Sequence, residues 1–231
     1  MAVIKNIAVH HGGGLLNDNL ASTRHLTFND IGRYHKSKGV RQGYNPYSKM
    51  GYPHAYNAMY DPKLRIFKQF REIGEETMAQ RGSNFDTFSL GIIGNYNKQK
   101  NIYRPVDPVE EYMEEDIAKY LLDLLNGNKR NLVVSPNAEL NFSRTRIYAH
   151  RFFSDTDCYG TFLSDNWARD LLVKYKQVII NDIVRLKKRI KILQEFIKIY
   201  IQLINLFTKK RMMDKALSGV GDFECEGFID K

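Results

Sequence analysis

The 231-residue chain predicts an α/β domain followed by one long basic helix, and three observations carry that expectation. Residues 1–165 alternate between strand-like apolar runs and stretches of helical spacing, joined by turn-rich segments. Residues 166–211 contain neither Gly nor Pro and repeat apolar residues with a helical period. The net charge of +9 is uneven: between Asn166 and Lys215 thirteen Lys and Arg face four acids, so this segment carries all of it and the remainder is balanced. With 43% hydrophobic residues the chain can bury a core, which excludes disorder. Six Pro and 16 Gly exclude a collagen-like chain, and two Cys exclude a disulfide-stapled scaffold. Any bridge would join Cys158 to Cys225.

The opening residues Met1 to His10 form a short apolar run that reads as a strand and reaches two histidines and then Gly12-Gly13-Gly14. The run has no long apolar centre and no small-residue cleavage site, so synthesis in the cytoplasm without a cleaved signal is expected. Ser22 to Lys38 reads as a helix with Leu26, Ile31 and Tyr34 as its apolar residues and Gly39 as its stop. Gly43 to Pro53 reads as loop. Ala55–Tyr60, Leu64–Phe67 and Phe88–Ile93 read as strands, the first two joined by Asp61-Pro62-Lys63 as a hairpin. Val109 to Leu125 places apolar residues at 109, 112, 113, 117, 120, 121, 124 and 125, with Pro108 before and Gly127 after, and predicts a helix.

Within 166–211, Ile183, Leu186, Ile190, Leu193, Ile197, Tyr200, Ile204 and Phe207 alternate spacings of three and four, a coiled-coil pattern with Ile at every a position. Ile192, Phe196, Ile199, Ile201, Leu203 and Leu206 widen the stripe beyond a two-stranded seam, which leaves a higher oligomer open. A homo-oligomer through residues 172–207, packing back on the first domain, and lying on an anionic membrane or wall polymer all remain open. A membrane span is excluded by Lys191, Glu195 and Lys198 within the apolar run. Residues 212–231 read as a flexible tail.

His and Cys side chains are the candidates for metal chemistry. Catalytic zinc takes three protein ligands and leaves a fourth position open. His150 and Cys158 stand eight positions apart across Ser, Asp and Thr residues that favour a loop, and such a loop can curl both onto one ion. On their own such a pair is more often a buried thiol beside an unrelated imidazole. His10, at the end of the first strand, adds a third donor on a rigid element. His11 adjoins it and would face the opposite side of a strand.

In their order, Val9-His10-His11-Gly12-Gly13, Tyr34-His35 followed by Gly39, Ala55-Tyr56-Asn57, Ser89 to Tyr96, and His150-Arg151 with Thr156-Asp157-Cys158-Tyr159-Gly160 resemble the motifs of zinc-dependent N-acetylmuramoyl-L-alanine amidases. That family includes type-2 amidases, amidase-type phage lysozymes and peptidoglycan recognition proteins. The resemblance covers about residues 4–172. The last motif, similar to the family's Gly-His-Arg and Thr-x-Cys-Pro-Gly, is its most specific part.

The resemblance implies a mixed central sheet flanked by helices in a domain spanning 1–165, one Zn2+ per chain, and His10, His150 and Cys158 as its ligands, with His11 the neighbouring alternative. It implies Tyr56 and Thr156 as catalytic hydrogen-bond donors, with Tyr52 a rival for the tyrosine. The implied reaction is cleavage of the amide between N-acetylmuramic acid and L-alanine of peptidoglycan, by a phage or prophage endolysin acting on the wall after release, or by a host autolysin exported non-classically. The alternative is a peptidoglycan-binding or regulatory protein of the same fold without hydrolysis. A nucleic-acid module in the basic helix is disfavoured by the balanced first domain and the acidic stretch 109–125.

The plainer roles fall to the remaining candidates. His35 is expected to pack or cap its helix and His54 to lie at the surface. Gly12-Gly13-Gly14 lacks the Lys-Ser/Thr of a phosphate loop. Of the tyrosines 44, 47, 52, 56 and 60, at least half are expected to be core, and the rest could stack on sugars.

Overall fold

A computed structural model describes residues 2–12, 21–79, 83–99, 101–128, 132–153, 156, 158 and 160–218. It divides into Met1–Gln177 and Val178–Lys231. The first unit is a mixed α/β structure with a central sheet flanked by helices.

The N-terminal run is two strands rather than one. β1 (Ala2–Ile4) pairs in parallel with β6 (Ala138–Leu140), and β2 (Asn6–His11) enters the main sheet. The switch falls at Lys5, where the backbone N–H groups of Lys5 and Asn6 both donate to Asp86 O and redirect the chain. The main sheet adds β3 (Ala58–Asp61), β4 (Ile66–Gln69), β5 (Thr87–Ile92) and β7 (Ile147–Ala149) in the order β4-β3-β5-β2-β7. Only β4 runs antiparallel, joined to β3 by the expected hairpin. β5 is buried along its whole length, as a strand covered on both faces must be. β6 and β7 are three residues each, too short to leave a periodic signal in the sequence.

Register sorts the two faces. Ala8 pairs with Ser89 and Tyr148, and His10 with Gly91, which pairs in turn with Met59, so these side chains share one face. Ile7, Val9, His11, Phe88, Leu90, Ile92 and Tyr60 share the other.

Helix α1 (Phe28–Arg41) covers the first face, packing Ile31 with Met59, Phe70 and Ile93. It starts six residues after Ser22 because Thr27 and Asp30 form a reciprocal capping box, Thr27 N–H donating to Asp30 Oδ2 at 2.8 Å. Ser22 and Thr23 are held instead by the buried Asp107 carboxylate. Gly39 does not stop the helix. It lies inside it, where a Cβ would come within 3.2 Å of Pro46, and the chain turns at Gly43 with φ of 76°.

Helix α2 (Glu111–Leu125) covers the second face with Met113, Ile117, Ala118, Leu121 and Leu124. Tyr120 stacks on Phe67 at 4.1 Å, and Asp116 accepts Tyr60 O–H at 2.7 Å and a two-pronged contact from Arg65. Helix α3 (Trp167–Ser218) begins in the first unit, where Trp167 Nε1–H donates to Glu114 and Tyr175 O–H to the Glu111 carbonyl. It remains helical through Ser218, beyond the expected end at 211. No helix among the described residues is long and apolar enough to cross a membrane.

Candidate metal centre

β2 delivers His10 and His11 to opposite faces of the sheet. His11 turns to the α2 side, where its Nδ1 accepts the Tyr96 backbone N–H at 3.1 Å. His10 turns to the α1 side. His150 opens a single 3-10 turn (His150–Phe152) directly after β7, the neighbour of β2, so the two imidazoles meet with centroids 4.4 Å apart. Cys158 closes the group, its Sγ 3.8 Å from His10 Nδ1. One donor atom each from His10, His150 and Cys158 lies within 4.8 Å of the others.

The loop that carries Cys158 is clamped by Arg151. Its backbone N–H donates to Cys158 O at 2.8 Å, its guanidinium donates to Gly160 O at 2.9 Å and Leu163 O at 2.6 Å, and it also pairs with Asp165. Gly160 is required there, because at φ of 101° an added Cβ would lie 2.3 Å from Tyr96 O. Cys158 N–H donates to Thr156 Oγ1 at 3.4 Å, and His11 N–H donates to Cys158 Sγ at 3.3 Å.

Tyr56 stands at the other side of His10, rings 4.8 Å apart, and meets His35 edge-on at 5.0 Å. Gly91 makes room for it: a Cβ at 91 would sit 2.5 Å from the phenol ring. The segment is pinned by Asn57, whose Oδ1 accepts Ser89 N–H at 2.8 Å and whose Nδ2 donates to Glu72 O at 3.0 Å. His35 Nδ1 accepts Ala55 N–H at 3.2 Å. Together His10, Tyr56, His35, Lys38, Gln42 and His150 line a cleft of about 100 Å3, and no carboxylate is among the described residues lining it.

Burial fixes the protonation states. It holds His10 well below the usual imidazole range, with positive charge on His150 adding to the effect, and pulls His150 down to about 4, with Lys38 contributing. Both are therefore neutral at pH 7 and offer lone pairs. Burial pushes the Cys158 thiol up to about 12, opposed by the His11 N–H and the Arg151 charge. The Tyr56 phenol is raised by burial and then by the nearby Cys158 sulfur, so it stays protonated and acts as a donor.

The donor set fits zinc. Ligand atoms around a tetrahedral zinc at ordinary N and S distances lie about 3.3–3.6 Å apart, so this group needs a contraction of at most about 1.5 Å. Two neutral imidazoles and one sulfur are the borderline-soft donors zinc prefers, and His11 N–H on the sulfur is the supporting contact such a thiolate requires.

No protein-family model and no curated protein matches the sequence. The fold overlaps several solved structures at low identity. The Ph2119 endolysin of a Thermus scotoductus bacteriophage is 15% identical, with a TM-score of 0.48 over 74% of this chain and 86% of that one. The endolysin N-acetylmuramoyl-L-alanine amidase LysCS of Clostridium intestinale is 14% identical, with a TM-score of 0.44 over 74% and 94%. The bumblebee peptidoglycan recognition protein PGRP-SA is 15% identical, with a TM-score of 0.40 over 71% and 78%.

Tyr52 lies elsewhere, its ring at right angles to Phe70 at 5.3 Å within the α1-side core. His54 is buried rather than at the surface: its ring stacks on Phe70 at 3.7 Å and Nε2–H donates to Phe28 O at 2.8 Å, a fit that a Cβ at Gly32 would block at 2.7 Å. Tyr60 is core, and Tyr44 and Tyr47 are exposed. Sequence reasoning assigned no task to Arg151, Asn57 or Gly91, although all three sit within the quoted motifs. Cys158 is a free thiol; its suggested partner Cys225 lies outside the described residues, as do Gly13, Gly14, Asp157 and Tyr159.

Proposed function

We propose that this protein is a zinc-dependent N-acetylmuramoyl-L-alanine amidase, a phage or prophage endolysin that hydrolyses the bond between the muramic lactyl group and L-alanine. The observation that carries the reading is the convergence of His10, His150 and Cys158 from β2, the turn after β7 and the Arg151-clamped loop. The resemblance of the surrounding motifs to that amidase family supplies the substrate.

His10, His150 and Cys158 would hold the metal, one ion per chain. When bound, zinc supplies Lewis acidity toward water and toward a carbonyl oxygen. Two neutral imidazoles and one thiolate leave a net charge of about +1 in the centre, which favours the negative charge of an amide-hydrolysis transition state.

Tyr56 keeps its proton and its ring stands beside that of His10, which supports a role for its O–H as a donor to the scissile carbonyl oxygen. Thr156 Oγ1 takes the Cys158 N–H on a lone pair, which leaves its own hydrogen for the same oxygen. His35 holds the backbone next to Tyr56 and gives the phenol an edge to rest on. Lys38 at the cleft rim adds positive charge that favours an anionic stem peptide.

Incubating the zinc-loaded protein with purified peptidoglycan, with and without chelator, tests the proposal. Solubilisation that stops on chelation and returns with zinc supports it. Tight binding of peptidoglycan without hydrolysis would replace it with the recognition-protein reading.

A further inference from the structure

The second unit presents a heptad face in full. Ile183, Ile190, Ile197 and Ile204 occupy a positions and Leu186, Leu193, Tyr200 and Phe207 occupy d positions of one unbroken helix, and all eight are exposed. We propose that residues 183–207 are a self-association surface whose occupant is the same segment of a second copy, parallel and in register.

The period favours a helix as the partner over a flat surface. A straight α-helix drifts by about 20° per heptad against a 3.5-residue repeat, so a stripe held at that repeat winds around its own helix. A partner helix follows it by supercoiling. A planar lipid surface does not.

Register and direction follow from the flanking positions. In a parallel pair each g residue faces the e residue five positions later in its partner. Those pairs are Asp182 with Lys187, Arg189 with Gln194, Phe196 with Ile201, and Leu203 with Thr208. The first is attractive, the second joins a cation to an amide, and the last two extend the apolar seam, so no like charges are opposed. Asp182 also keeps Arg185 at 3.4 Å on its own helix, which leaves its second oxygen for the partner. Lys188, Lys191, Lys198 and Lys209 fall at b and f, away from the seam.

The area is sufficient. Eight side chains each with about 100 Å2 left to bury give roughly 800 Å2 per copy, the size of a standard stable interface. Ile at every a position with Leu at the first two d positions, 186 and 193, favours two strands, while Tyr200 and Phe207 take the remaining d positions.

Salt separates this reading from its rivals. Residues 178–218 carry ten Lys and Arg against three acids, so two copies repel at long range. Added salt should tighten self-association, whereas it weakens binding to any polyanion.

The test is sedimentation of the full chain at 50 and 500 mM NaCl, beside an Ile190→Lys/Ile197→Lys variant and the charge swaps Asp182→Lys, Lys187→Asp and both together. Circular dichroism verifies that each variant keeps its helix. The expected results are an oligomer at micromolar concentration that tightens with salt, association weakened by at least about 100-fold in affinity for the double Lys variant, and association weakened by either swap and restored by the pair. Any of three results would overturn the proposal: a monomer at 100 μM in both salts, failure of the paired swap to restore association, or association seen only with phosphatidylglycerol vesicles and reversed by salt.

Discussion

The Cys158 sulfur accepts the backbone N–H of His11 at 3.3 Å, a contact spanning 147 positions of sequence. It places the sulfur beside the strand that carries His10, and it is how one loop completes a group that two strands begin. His11 thus contributes through its backbone while its ring serves the opposite face through Tyr96.

Replacing Cys158 by Ser removes the one soft anionic donor. The Cys158→Ser variant is expected to lose stoichiometric zinc, read by elemental analysis after dialysis, and to retain less than about 1% of activity. Full activity without the cysteine would disprove the ligand assignment.

Tyr56→Phe keeps the ring between His10 and His35 and deletes the donor. Zinc content should be unchanged while kcat falls by about 10²–10³, the usual cost of one oxyanion donor. Gly91→Ala should mimic this in part, because its Cβ displaces the phenol ring. A Tyr56→Phe enzyme at full rate would return the phenol to a packing role.

Arg151 acts on the loop through three carbonyls and Asp165. Arg151→Lys keeps the charge and the backbone N–H to Cys158 O but cannot span Gly160 O, Leu163 O and Asp165, so zinc affinity should drop by about 10–100-fold, measured by competition with a chelating dye. An unchanged affinity would show that the loop holds Cys158 without the clamp.

Stability should fall in mild acid because of His35. Burial holds its folded-state value near 3, against 6.5 unfolded, with His54 and Lys38 adding to the effect. Above pH 6.5 neither state carries the proton, so it contributes nothing. Below 6.5 the unfolded chain binds a proton that the folded chain refuses, and the loss reaches about 2 kcal/mol at pH 5. His54, held near 4 by burial, acts in the same direction. Urea unfolding between pH 4.5 and 7.5 should show this slope, and His35→Asn, which keeps an acceptor for Ala55 N–H, should flatten it by about one proton. An equal slope in both proteins would exclude His35.

The sequence was legible where the physics is local. The 3.6-residue pattern of 111–125 survives in α2 because one apolar face packs on one sheet, and the Gly- and Pro-free run of 167–211 can only continue as helix. The short apolar run from Met1 to His10 identified the strand that carries His10. What stayed hidden depends on partners far along the chain. β6 and β7 exist only as neighbours of β1 and β2, and the burial of His54 depends on Gly32 and Phe70. The α1 boundary was misread because helical spacing outweighed the Thr27–Asp30 box, a signal present in the sequence. At the site, residue types chosen for chemistry stood out, while Arg151, Asn57 and Gly91 act through backbone carbonyls, backbone N–H groups and empty space, which leave little mark on composition.

The central claim is that this cleft hydrolyses one amide of peptidoglycan. Mass analysis of the products released by the zinc-loaded protein tests it most directly. Free stem peptides with an N-terminal L-alanine and glycan strands bearing intact lactyl groups are expected, both lost on chelation. Products cut within the glycan or within the stem peptide, or no products from a zinc-loaded protein that binds the polymer, would contradict it.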